Sequence, residues 1–141
     1  MILILAAAAM VAQTAPPETA WTWTLYADAA PVVLANEIPD TPNLRVTLEC
    51  DPGSSVTRVT LYGAAMRGMA RVTAGEAVAV AEAEAVRGGA TRLTLRTDHP
   101  AFAAFAADGR MTLIVGEARR PVEVPAAHLA KLRRFSELCA G

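Results

Sequence analysis

The sequence is poor in the residues that most chemistry needs. It holds two histidines, two cysteines and only 5% aromatic residues. A structural zinc site takes four ligands drawn from His, Cys and carboxylates, so this inventory argues against one. Serine is scarce as well. Ser54 and Ser55 follow a Pro-Gly turn, Ser136 lies near the C-terminal end, and none stands in a G-x-S-x-G context of the kind that exposes a nucleophile on a strained turn. Gly88-Gly89 is not followed by the Gly-Lys-Ser/Thr of a phosphate-cradling loop. There is no excess of either charge: the net value is −1 and the pI about 6.1. That balance gives no electrostatic case for a nucleic-acid binder, which needs a basic face, or for a strongly acidic tail, and leaves room for local patches. No cofactor motif is present, and no apolar run approaches the roughly 20 residues that cross a bilayer.

What is present begins with Met1 to Ala12, twelve uncharged residues followed by Thr14, Ala15, Pro16 and Pro17. The run suits the apolar segment of an export signal. It predicts a signal peptide over 1–15 cleaved within Ala12 to Ala15, a flexible lead-in over 16–20 and one mature domain over 21–141, periplasmic or secreted. The run has no Lys or Arg before it, so the competing expectation is an ordinary core helix or strand. An even cysteine count in an exported chain reads as a disulfide, here Cys50–Cys139. In a reducing compartment the two would be buried thiols.

The mature part alternates with a period of two in several places, the mark of half-buried strands. Trp21, Trp23 and Leu25 share one face. Leu44, Val46, Leu48 and Cys50 share another, opposite Arg45, Thr47 and Glu49. Asp51-Pro52-Gly53-Ser54 is a turn signal, and Val56 to Tyr62 returns as the partner strand. Thr91 to Arg96 alternates again. Glu76 to Val86 is ambiguous, since its alanines and glutamates favour helix while Val78 and Val80 alternate as in a strand; the flanking strands favour the latter. Asp98 is the expected N-cap of a short helix near 99–107. Leu129, Leu132, Phe135 and Cys139 form the apolar stripe of a final helix expected from about Ala126 to Cys139. The fold class is therefore α+β, a mostly antiparallel sheet, sandwich-like or curved, with the last helix fastened to it by the disulfide.

Four groups are candidates for function. His99 has Asp98 beside it, but adjacent residues seldom face one another, and helix capping accounts for the pair. His128 falls in the first turn of the last helix and reads as a boundary residue. Arg119, Arg120, Lys131, Arg133 and Arg134 form a basic group that could receive an acidic partner, an envelope protein or an anionic glycan or lipid head group; completing a helix dipole is the plainer account. Trp21 and Trp23 could stack on a ligand, though two aromatics on one strand face more often belong to the core. Glu82 and Glu84 read as a solvated face.

The order of elements has a family resemblance. A Cys-bearing strand at Leu44 to Cys50 precedes several strands, the short helix around Phe102 and Phe105, the strand Met111 to Val115, and a helix ending Phe135-Ser136-Glu137-Leu138-Cys139. This resembles the small periplasmic proteins associated with type VI secretion in proteobacteria, over roughly residues 44 to 139. The resemblance implies an accessory or binding role in the cell envelope. The functional expectation is an exported, non-enzymatic interaction module without a cofactor. The alternatives are a small hydrolase using His99 or His128, or an inhibitor of a wall-degrading enzyme acting through a loop such as Asp51 to Ser55.

Overall fold

The structure is a computed structural model, and it describes residues 14–141. The expected signal peptide therefore lies almost wholly outside the described residues. Nine strands run in chain order: β1 (Thr22–Tyr26), β2 (Val32–Glu37), β3 (Leu44–Cys50), β4 (Val56–Leu61), β5 (Gly68–Ala74), β6 (Ala77–Val86), β7 (Ala90–Arg96), β8 (Arg110–Val115) and β9 (Ala118–Glu123). Helix α1 (Pro100–Asp108) separates β7 from β8, and α2 (Leu129–Cys139) follows β9. All pairings are antiparallel, in the order β1-β2-β3-β4-β7-β6-β5-β8-β9. The sheet curls into a half-barrel whose hollow side holds both helices.

The alternation read from the sequence decides which side chains turn inward. Leu34, Leu48, Cys50, Val59, Leu61, Leu93 and Leu95 are buried on one face of the strands β2 to β4 and β7. Phe102 and Phe105 of α1, and Leu132 and Phe135 of α2, close the core from the other side. The α1 rings meet edge to face at 6.0 Å and 72°, a favoured aromatic geometry. The ambiguous stretch is the long strand β6, whose inner face is alanine at positions 77, 79, 81, 83 and 85. Local helix preference yields there to pairing along the whole of β5, from Gly68↔Ala83 to Ala74↔Ala77. The small inner side chains leave room for α1, which lies against β6, β5 and β8.

Two corrections to the helix ends emerge. The N-cap of α1 is His99, whose ring Nδ1 accepts the Ala101 N–H at 3.0 Å, while Asp98 forms an ion pair with Arg96 at 2.9 Å. Helix α2 starts at Leu129, after a 3-10 turn over Ala126–His128. The C-terminal end of α1 is closed by Gly109 in the left-handed region at φ 77, the backbone that favours glycine at a helix end. A Cβ there would sit 2.3 Å from the Val124 carbonyl oxygen.

Cys50 and Cys139 form the expected disulfide, with Cα atoms 5.8 Å apart and both residues fully buried. The turn after Cys50 also supplies what the end of α2 lacks. The last carbonyls of a helix have no partner within it; here Gly53 N–H donates to Leu138 O at 3.0 Å and Ser55 N–H to Cys139 O at 2.7 Å. The Ser55 hydroxyl accepts the Gly141 N–H at 2.8 Å.

Candidate functional site

The stretch expected as a lead-in carries a 3-10 turn, Glu18–Ala20, and it builds one wall of a cleft. Trp21 follows that turn, and β1 begins one residue later. The Arg45 guanidinium, on the outer face of β3, lies over the Trp21 ring at 4.0 Å and grips Glu18 through two bonds of 3.0 and 2.7 Å. This combination of a cation–π contact with a forked carboxylate pair ties the lead-in to the sheet. The bond from Arg45 also holds the Glu18 carboxyl below its ordinary pKa.

The cleft, about 270 Å³, is lined by Glu18, Trp21, Trp23, Asn36, Arg45, Glu123, Pro125 and His128. A second hollow of about 330 Å³ shares Trp23, Asn36, Arg45 and Glu123 and continues onto Arg120 to Val122. The half-barrel curls far enough to bring β9 to the ends of the early strands. Arg120 fixes that approach by donating to the Tyr62 carbonyl at 3.1 Å, at the end of β4.

His128 stands where the cleft meets α2. Lys131 donates to the Trp23 carbonyl at 2.6 Å, satisfying a group on the edge strand β1, and its ammonium lies 3.2 Å from His128 Nδ1. An ammonium can only donate, so Nδ1 accepts and the ring proton sits on Nε2. Burial, and then the Lys131 charge, push the His128 pKa below its usual value. Both effects favour the neutral ring, the form that accepts from Lys131.

The remaining sequence candidates separate. Arg119 and Arg120 project from opposite faces of β9, as successive strand residues must; Arg119 is exposed and Arg120 is drawn into the hollow. Arg134 pairs with Glu137 at 3.4 Å and Arg133 is exposed on α2. So Arg120 and Lys131 belong to the cleft region, while Arg119, Arg133 and Arg134 do not line it. Trp21 and Trp23 both line the cleft, but Trp23 is 4% exposed and part of the core. His99 caps a helix, and the loop from Asp51 to Ser55 closes the end of α2.

Glu18, Asn36, Arg45 and Glu123 escaped the sequence reading. Arg45 had one usable signal, its outward place on a clear strand. Its meeting with Glu18, 27 residues away, had none.

Among the described residues, no cluster of three or more His, Cys, Asp or Glu side chains is arranged to hold a metal, and no helix is long and apolar enough to cross a membrane. No protein-family model, curated protein or solved structure matches the chain.

Proposed function

We propose that this protein is an exported, non-enzymatic binding module of the bacterial cell envelope, and that the cleft beside Trp21 and Arg45 is where its partner sits. The observation that carries the reading is the buried Cys50–Cys139 disulfide, a bond that persists in oxidising compartments and is rare in the cytosol. The cleft adds chemistry suited to recognition: an aromatic face, a fixed guanidinium, an amide and a carboxylate in one hollow. Pockets of this kind combine apolar walls with a few placed polar groups. An accessory role like that implied by the type VI secretion resemblance is one form this function could take.

Cell fractionation with thiol titration tests the compartment. The expected result is oxidised protein in the envelope or the medium; cytosolic protein with two titratable thiols would overturn it. Capture from envelope extracts with wild type and Trp21→Ala tests the cleft. A partner retained by the first and lost by the second is expected, and equal capture by both would move the binding elsewhere. A hydrolase is the second reading, favoured by the neutral imidazole of His128 in the cleft. Turnover of an ester, glycan or peptide substrate that disappears in His128→Ala would establish it.

A further inference from the structure

A separate hollow lies on the outer side of the sheet, where β4 ends and the β6–β7 turn begins. It measures about 420 Å³ and is lined by Thr60, Tyr62, Val86, Arg87, Ala90 and Arg92. None of the lining residues is acidic. Arg92 is aimed by its Nε, which donates to the Thr60 hydroxyl at 3.3 Å. That bond leaves the two terminal nitrogens of the guanidinium free to donate. Arg87 is exposed on the turn, and among the described residues neither arginine has a carboxylate within salt-bridge distance. Glu84 is the cross-strand neighbour of Arg92 on the same face of the sheet and the nearest competitor for it. Tyr62 brings a phenol whose hydroxyl is 3.4 Å from that of Thr47.

We infer that this hollow is a binding site for a phosphate-class oxyanion, held by Arg87 and Arg92 with the Tyr62 hydroxyl. The class follows from the donor set. Two forked guanidiniums and a phenol match the charge and the several acceptor oxygens of a phosphate better than the single charge and two oxygens of a carboxylate. Pre-aiming of Arg92 by Thr60 lowers the ordering cost of binding. The phosphate could be free in solution or carried by an envelope lipid. The site lies apart from the Trp21 cleft and does not depend on the compartment, so its failure would leave the proposed function standing.

The test uses the purified, disulfide-bonded chain. Inorganic phosphate is titrated calorimetrically into wild type, Arg87→Gln, Arg92→Gln and, as a control, Arg133→Gln. Co-sedimentation with phosphatidylglycerol vesicles, against phosphatidylcholine vesicles, forms the second arm. Thermal unfolding checks that each variant is folded. The expected result is binding in at least one arm that weakens about tenfold in each of the two hollow variants and is unchanged in Arg133→Gln. Binding of inorganic phosphate assigns a soluble ligand, and binding of anionic vesicles alone assigns a lipid head group. Absence of binding in both arms, or binding that Arg87→Gln and Arg92→Gln leave unchanged, would overturn the inference.

Discussion

The two sides of the half-barrel solve the same packing problem in opposite ways. On the side of β2, β3, β4 and β7, the sheet supplies the bulk: Leu34, Leu48, Val59, Leu61 and Leu93 are buried, and α2 is bonded covalently to β3 through Cys139. On the side of β5 and β6, the sheet supplies mostly alanine, at positions 70, 74, 79 and 83 around Val72, and most of the bulk comes from Phe102 and Phe105 of α1. Both regions have hydrogen bonds at their helix ends, but only the first adds a covalent link. A sheet can thus yield volume to a helix on one side and take it back on the other, provided the total fills the core to native density.

Breaking the link should show how much the first region owes to it. Its cysteines are 89 residues apart, and in the chain-entropy treatment such a closure is worth about 4–5 kcal/mol. We expect Cys50→Ala with Cys139→Ala to lose most of that in urea unfolding; a loss below about 1 kcal/mol would mean that packing, not the bond, holds α2. The next largest effect should come from Gly109→Ala, at the end of α1. The left-handed backbone alone costs a non-glycine residue about 1–2 kcal/mol, and the contact with Val124 O adds to it. A change in midpoint no larger than that of an ordinary surface mutant would show that this end of the second region relaxes freely.

Overfilling the alanine wall sharpens the contrast further. Ala79→Leu, beneath α1, should cost about 1–3 kcal/mol, while Val80→Thr, next along the strand but 64% exposed, should stay within about 0.5 kcal/mol. Equal effects would mean that the inner face of β6 is not tightly packed. The smallest change concerns pH. His128 has a lowered folded pKa, so below about pH 6.5 the unfolded chain takes up a proton that the folded chain resists. Stability should therefore be fully kept above that pH and decline as pH falls through it, and His128→Gln should flatten the decline. An identical slope in the two proteins would remove His128 from the account.

The contrast also explains what the sequence made legible. Strand β3 alternates so cleanly that its inner face could be named residue by residue, β7 was legible as a strand from the same alternation, and the stripe of α2 pointed Cys139 at Cys50. Strand β6 was ambiguous because alanine and glutamate carry no β preference; its state is set by β5 and α1, which local pattern does not contain. The cap of α1 shifted by one residue because Arg96, two positions before Asp98, competes for that carboxylate. The cleft was the least legible part. Trp21 and His128 were visible as candidates, but Glu18 and Arg45 join them through the lead-in lying across β1 to β3, and Glu123 only because the sheet curls. The hollow of Arg87 and Arg92 combines a turn and a strand end whose residues look like ordinary surface charges in one dimension.

A bond between residues 50 and 139 also constrains how the chain can go astray. With only two cysteines in the sequence, no wrong intramolecular pairing exists. From the moment Cys50 emerges until its partner follows 89 residues later, it carries an unmated thiol, and the wrong disulfide open to it is a link to another molecule. Wrong disulfides between copies of this chain are therefore second order in its concentration, and dilution should suppress their formation.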